Sequence, residues 1–180
     1  MFLSLVRKRR SIRRYTSQAV ESEKVEMLVE AALRSPSSMN NTPWEFIVVT
    51  DPSMLDHLST AKPHGATFLK NAPLAVVVCA DPAKSTVWIE DASIASIYIH
   101  LAAESLGLGS CWIQIRDRMH DEDTSAGAYI RGLLHIPEQL KVVAMIAIGH
   151  PAEEKAPHPK ETLLYEKVFY ERYGSGSELK

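Results

Sequence analysis

The stretch Trp88–Ile115, WIEDASIASIYIHLAAESLGLGSCWIQI, decides the fold. From Trp88 to Leu106 it carries Ile89, Ala92, Ile94, Ala95, Ile97, Tyr98, Ile99, Leu101 and Ala102, apolar nearly all round, and reads as one long helix. A helix without a polar face is normally enclosed by protein. Two enclosures are open. One is the core of the subunit itself. The other is a partner subunit, because a chain of 180 residues has few elements with which to cover every side. Ser93, Ala95, Ser96, Ala102 and Ala103 are small enough to let a neighbouring helix approach closely. Gly107-Leu108-Gly109 stops the helix, since glycine tolerates the positive φ of a helix C-terminus. Cys111 to Ile115 then reads as a strand.

Upstream of this stretch, Leu74 to Ala80 is apolar on both faces and reads as a strand buried on both. Trp44 to Thr50 is another strand, with Phe46, Ile47, Val48 and Val49 continuous. Asp51-Pro52 starts a helix between the two, an N-cap followed by proline at the first position. Met54, Leu55, Leu58 and Ala61 continue it at helical spacing, and Lys62 to Pro73 is irregular. Residues 21–34 repeat Val25, Leu28, Val29, Ala32 and Leu33 as an amphipathic helix does, and Ser35-Pro36 ends it. A short helix over residues 2–9 precedes it, with Phe2, Leu3 and Val6 apolar. Downstream, a helix near 125–134, a turn at Ile136-Pro137 and a fourth strand from Val142 to Ile148 lead to Gly149-His150-Pro151. The tail is charged and proline-rich from Glu154 to Lys160 and regains order from Tyr165 to Tyr173, docked on its own core or on a second subunit.

Composition excludes several classes. With 46% hydrophobic and 23% charged residues the chain is an ordinary single-domain sequence able to bury a core. A net charge of −2 provides no global attraction to nucleic acid or membrane. Cys79 and Cys111 lie far apart in apolar runs, which argues against a disulfide framework and a cysteine-rich metal site, and for a reducing compartment. The N-terminal order, apolar residues before charges, is the reverse of a signal peptide. No run approaches the ~20 apolar residues of a membrane helix. The expectation is a cytoplasmic protein without metal. The seven histidines are scattered without ligand spacing, and neither a Walker loop, a His-Glu-x-x-His pattern nor a nucleophile elbow occurs, so no side chain stands out as catalytic.

Three segments remain that can carry chemistry. Arg7-Lys8-Arg9-Arg10-Ser11-Ile12-Arg13-Arg14 is densely cationic, which suits nucleic acid, a solvated face or a bound phosphate. Arginine fits phosphate because its planar fork donates two hydrogen bonds, and Ser11 adds a neutral donor. Pro36-Ser37-Ser38-Met39-Asn40-Asn41-Thr42-Pro43-Trp44 gathers hydroxyls and carboxamides that suit the edge of a heteroaromatic ring, or that satisfy only their own turns. Gly107 to Gln114 places a strand start after a tight turn, where backbone amides can face a ligand, and it lacks the spacing of a dinucleotide fingerprint.

In this order the segments resemble the nitroreductase family of FMN enzymes. The likeness runs from Arg9-Arg10-Ser11-Ile12-Arg13-Arg14-Tyr15, through Ser35 to Trp44 and Ala72-Pro73, to Gly107–Ile113 and Gly149-His150-Pro151-Ala152. The resemblance implies that Arg9 and Ser11, with Arg10 in the same motif, hold the FMN phosphate. It implies that Arg13 reaches the ribityl chain or the flavin pyrimidine, and that Pro36, Ser37, Ser38 and Asn40 contact the flavin, some of them from a second subunit. Trp112, Ile113 and Gln114 are expected to line the ring, with a backbone amide near N5. A basic residue after the last strand is expected to join the phosphate, Lys160 first and Lys155 as the alternative. Thr42 departs from the family, where many members have Gln before the Pro-Trp pair.

The implied fold is α+β: a mostly antiparallel sheet flanked by helices in one domain over 1–180, dimeric across the long helix. Residues 154–180 would form an extension on the partner subunit. The implied reaction is ping-pong, from NADH or NADPH through FMN to a nitroaromatic, quinone or related small acceptor, with no nucleic acid and no membrane involved. Dehalogenation, flavin fragmentation and a non-enzymatic FMN-binding or nucleic-acid-binding regulator remain as alternatives.

Overall fold

A computed structural model describes residues 2–174. Its centre is a four-stranded antiparallel sheet of β1 (Trp44–Val49), β2 (Leu74–Ala80), β3 (Gly109–Gln114) and β4 (Lys141–Gly149), in the order β1-β2-β4-β3. The two central strands, β2 and β4, are the most continuously apolar, and all of β2 is buried. A register shift between Val78 and Cys79 leaves Val143 as the extra residue of β4, a bulge in the pairing.

Strand alternation divides the core into two layers. Ala75, Val77, Cys79, Ile113, Met145 and Ala147 face α3 (Pro52–Ser59) and α5 (Ala126–Leu134), against Leu55, Leu58 and Ile130. Val76, Val78, Val143, Ile146 and Ile148 face α2 (Ser22–Leu33) and α4 (Trp88–Ser105), against Leu28, Ala32, Ile99 and Ala103. The short α1 (Phe2–Lys8) packs on α4. The capping signals work as the sequence suggests. Asp51 accepts a hydrogen bond from the Met54 backbone N–H at 2.8 Å, with Pro52 at the first helical position. Ser125 caps α5 in the same way, at 3.1 Å from the Ala128 N–H.

The long helix has a more specific environment than its composition implies. Its own subunit covers one side: Ala92, Ala95, Ser96, Ile99 and Ala103 are buried against α2 and the sheet. Ile94, Ile97 and Tyr98 remain 39–42% exposed on the other side. The subunit's own core thus encloses one side of the helix, and an apolar stripe is left over on the other. Strand β3 starts two residues earlier than expected, at Gly109, because Gly109 pairs with Gly149 and its missing side chain makes room for Ile12: a Cβ there would lie 2.7 Å from Ile12 Cγ2. The irregular segment 62–73 contains a 3-10 turn over Thr67–Asn71. Residues 165–173 hold one turn, Tyr165–Lys167, and expose Tyr165, Val168 and Phe169. The last part of the expected tail, 175–180, lies outside the described residues.

Candidate functional site

The basic N-terminal segment folds back along the outer edge of β3. The Ile12 N–H donates to the Ser110 carbonyl at 3.0 Å, and Ser11 bridges Ser110 in parallel fashion. Tyr15, buried under this segment, donates its hydroxyl to the Ile12 carbonyl at 2.6 Å, and burial holds its phenol well above the usual range. Ser110 thus turns its backbone outward. By the two-residue alternation of strand hydrogen bonding, Trp112 and Gln114 do the same, while Cys111 and Ile113 pair with β4. The edge from Ser110 to Gln114 is therefore a row of backbone groups facing away from the sheet.

Cations collect at the Ser110 end of that edge. The fields of Arg13, Lys155 and Arg9 all act on the Cys111 thiol, though burial outweighs them and pushes it up. Arg9 also lies near His100, whose Nδ1 is hydrogen-bonded to Ser110 Oγ at 2.7 Å. Burial first, and Arg9 second, push the His100 pKa from 6.5 down to about 4, so the imidazole stays neutral beside the cations. Lys155 Nζ donates to the Ser11 carbonyl at 2.7 Å. Arg10 donates to the Ala156 carbonyl, tying the tail to the same place. Arg13 sits over the Phe68 ring, 5.8 Å from its centroid.

Glu153, which the sequence reading did not single out, organises this corner. One carboxylate oxygen accepts from the Arg13 N–H at 2.6 Å, the Arg14 N–H at 3.2 Å and Lys155 Nζ at 3.2 Å. The first of these, followed by Lys155, holds its carboxyl below the usual carboxylate range. Its charge is spent on backbone amides and on positioning Lys155. The only sequence signal for it was its place just after the Gly149-His150-Pro151-Ala152 turn.

The structure places two of the expected residues, Lys160 and Ile113, away from the groups just described. Lys155, not Lys160, is the tail cation that reaches the motif; Lys160 opens an exposed turn further along the tail. The reason is the antiparallel bridge between Tyr15 and Pro151, which brings the residues directly after β4 alongside the basic segment. The Ile113 side chain also does not share a face with its neighbours. Alternation turns it into the α3/α5 core, 1% exposed, while Trp112 and Gln114 lie on the opposite face. There the Trp112 indole N–H donates to Gln114 Oε1 at 3.1 Å, and Gln114 Nε2 donates to the Arg116 carbonyl at 2.8 Å.

The polar loop is built on strained backbone. Met39, Asn40 and Thr42 have φ of 50°, 58° and 42°, and non-glycine residues in that region each cost about 1–2 kcal/mol. Such a set persists only where the surroundings over-determine it. Ser37 Oγ accepts from the Thr42 N–H at 2.9 Å and closes the loop on itself. Asp91, 2% exposed near the start of α4, accepts from the Ser38 N–H at 2.8 Å with one oxygen and from Ser85 Oγ at 2.8 Å with the other. Pro36, Ser38 and Asn40 are exposed above this anchor, and Ser37 is half-buried. Beneath it the Trp44 indole N–H is buried without a partner among the described residues.

Within one chain the loop and the cation corner do not meet. The loop leads into β1 and the cations line β3, and these are the two opposite edges of the sheet. Three inter-strand spacings, ~14 Å, separate the edges. Sequence alone cannot show this, because it does not specify strand order.

Among the described residues no group of His, Cys, Asp and Glu is placed to hold a metal ion, and no helix is long and apolar enough to cross a membrane. The family model described as the nitroreductase family matches residues 6–62 and 54–150. An FMN-dependent nitroreductase of Clostridium difficile R20291 superposes with a TM-score of 0.93 at 48% identity, covering 95% of this chain and 99% of that one. A structure from Desulfovibrio desulfuricans, provisionally named a nitroreductase and solved in complex with FMN, superposes with a TM-score of 0.76 at 32% identity, over 94% of this chain and 98% of that one. A protein of Archaeoglobus fulgidus, provisionally named an NADH dehydrogenase/NAD(P)H nitroreductase, is 41% identical over 157 residues, 85% of this chain and 87% of that protein.

Proposed function

This chain belongs to the nitroreductase family, and from that premise we propose that it is a homodimeric, FMN-dependent oxidoreductase passing electrons from NAD(P)H to a small organic acceptor. The observation that carries the reading is the edge of β3: cations and hydroxyls at the Ser110 end, and outward-facing backbone toward Gln114. A ligand with an anionic head and a flat heteroaromatic end matches that sequence of groups. The donor set fits the FMN phosphate, because Lys155 bonds to Ser11, and Arg9 acts on the neutral His100 that is bonded to Ser110.

When bound, FMN supplies the redox chemistry, accepting a hydride from the nicotinamide and delivering electrons to the acceptor. The chain's part is to bind, orient and polarise. Arg9, Ser11 and Lys155 would hold the phosphate, with Arg10 fastening the tail beside them. Arg13, above Phe68, places a fixed positive charge where the reduced ring would gain negative charge, a preorganised stabilisation of the kind that lowers barriers in dry sites. The outward N–H of Gln114 is the donor we assign to the flavin N5, and Trp112 and Gln114, locked by their mutual hydrogen bond, form the wall beside it. Pro36, Ser37, Ser38 and Asn40 cannot reach the β3 edge of their own chain across β2 and β4. We infer that they complete the site of a partner, a reading supported by a strained loop whose Pro36, Ser38 and Asn40 are exposed. The apolar stripe of Ile94, Ile97 and Tyr98 and the exposed tail at Tyr165, Val168 and Phe169 are the surfaces on which that partner would sit. A cytoplasmic location accords with the free, buried thiols of Cys79 and Cys111.

The experiment is purification followed by turnover. The protein is expected to be yellow, with the visible absorption of an oxidised flavin, and to oxidise NADH or NADPH in the presence of a quinone. Colourless protein that takes up no FMN on reconstitution would refute the assignment.

A further inference from the structure

A second concavity, with a volume of about 450 Å³, opens where β3 leaves the sheet and β4 enters it. Trp88, Met119 and Val142 give it an apolar floor, and Arg118, Arg131 and Lys141 stand around it. Arg116 and Asp117, also in the lining, are paired with each other. The remaining cations have no such partner. Arg131 and Lys141 both donate to one neutral oxygen, the Glu138 carbonyl, at 3.1 and 3.3 Å. Arg118 donates to the Asp117 carbonyl at 2.8 Å. Among the described residues none of the three lies within 4.0 Å of a carboxylate. The charge of Arg118 reaches beyond the cavity: burial first and Arg118 second hold Lys62 below the ordinary lysine range.

Uncompensated cations around an apolar floor suit a ligand with the opposite arrangement, a flat apolar body bearing an anionic group. The cavity adjoins the Gln114 end of the β3 edge. Gln114 Nε2 donates to the carbonyl of Arg116, a residue of the lining, and Trp88 of the floor packs in the same apolar cluster as Trp112. The anionic group would therefore be held beyond the Gln114 end of the edge, opposite to the phosphate corner at Ser110.

We propose that this cavity binds the anionic group of a substrate, a carboxylate or phosphate on an aromatic or heterocyclic body. This rests on the reading of the β3 edge as the flavin site. That chemistry has two sources, the 2′-phosphate that distinguishes NADPH from NADH and an acidic group on the electron acceptor.

The test uses the FMN-loaded protein and a variant carrying Arg131→Gln and Lys141→Gln, neither of which belongs to the proposed flavin site. Steady-state constants are measured for NADPH against NADH, and for 4-nitrobenzoate against 4-nitrobenzyl alcohol. The wild type is expected to favour the more anionic member of at least one pair. In the variant the KM of that member should rise roughly ten- to a hundredfold, as loss of charge-assisted hydrogen bonds implies. The NADH and nitrobenzyl alcohol reaction should keep its kcat/KM. A loss confined to NADPH assigns the cavity to the nucleotide, and one confined to nitrobenzoate assigns it to the acceptor. Equal constants in wild type and variant, or equal losses for charged and neutral members, overturn this site while leaving flavin turnover standing. A wild-type holoprotein without any NAD(P)H turnover overturns the flavin reading and this inference with it.

Discussion

Arg9 and Arg7 are neighbours in sequence with different surroundings. Arg9 is half-buried and acts electrostatically on His100 and Cys111, while Arg7 is exposed in the last turn of α1. Removing a charge-assisted hydrogen bond costs roughly 1.5–3 kcal/mol. Arg9→Ala is therefore expected to weaken FMN binding about ten- to a hundredfold, and Arg7→Ala to leave it nearly unchanged. A fluorescence titration of both variants decides the point, and indistinguishable affinities would remove Arg9 from the phosphate site. His100 makes a second residue-scale prediction. Its pKa in the fold is about 4, against 6.5 for an ordinary histidine. Between those values the unfolded chain takes up a proton that the folded chain refuses, so stability falls as pH drops from 6.5 toward 4. The loss saturates below that window at roughly 3 kcal/mol. Urea unfolding of wild type and His100→Gln at several pH values should show a flatter dependence in the variant. Parallel curves would mean that His100 is not the group responsible.

At the scale of elements, the polar loop and α4 act as one unit through Asp91. The carboxylate is the acceptor for the Ser38 N–H and for Ser85 Oγ, and the loop above it stores strain in Met39, Asn40 and Thr42. Without that anchor the backbone would relax toward ordinary φ values, and the exposed Ser38 and Asn40 would lose their placement. Asp91→Ala is expected to lower FMN affinity roughly tenfold, because the part-buried Ser38 N–H loses the acceptor that holds the loop, while the buried Ser85 hydroxyl is left unpaired at about 1–3 kcal/mol of stability. Asp91→Asn retains an acceptor for the Ser38 N–H and should restore much of the affinity at similar thermal stability. If Asp91→Ala binds FMN as tightly as the wild type, the loop has no part in the flavin site. The sequence showed Asp91 only as an acidic residue near a helix start, a common and usually solvent-facing feature. Its burial came from Ser85 and Ser38 folding over it.

For the whole molecule the question is association. Exposed Ile94, Ile97 and Tyr98 on α4 are continuous with a helix whose other side is already buried. Leaving such side chains in water forgoes ~1.5–3 kcal/mol each. The proposed flavin site draws on both edges of the sheet, which gives a second reason to expect a dimer. Ile97→Glu places a charge in the apolar stripe and is expected to dissociate the proposed dimer and to lower flavin content together. Analytical ultracentrifugation with absorbance at the flavin band reads both at once. A monomer that still carries one FMN per chain would disprove the shared site.

Local patterns in the sequence were sufficient for most of the elements. The apolar periods of Val25–Leu33 and Leu74–Ala80, the Asp51-Pro52 helix start and the Gly107-Leu108-Gly109 stop each act within a few residues, so they can be read without knowing the neighbours. The order of strands is different in kind. That β2 and β4 are central, and that β1 and β3 are edges, depends on which apolar faces find one another across long stretches of chain. From that order follows the separation of the loop from the cation corner, and the bridge between Tyr15 and Pro151, equally distant in sequence, is what brings Lys155 to Ser11. Sequence determined which groups were available to meet a flavin. Tertiary structure decided which of them share a face, because burial and strand pairing are settled between distant segments rather than along the chain.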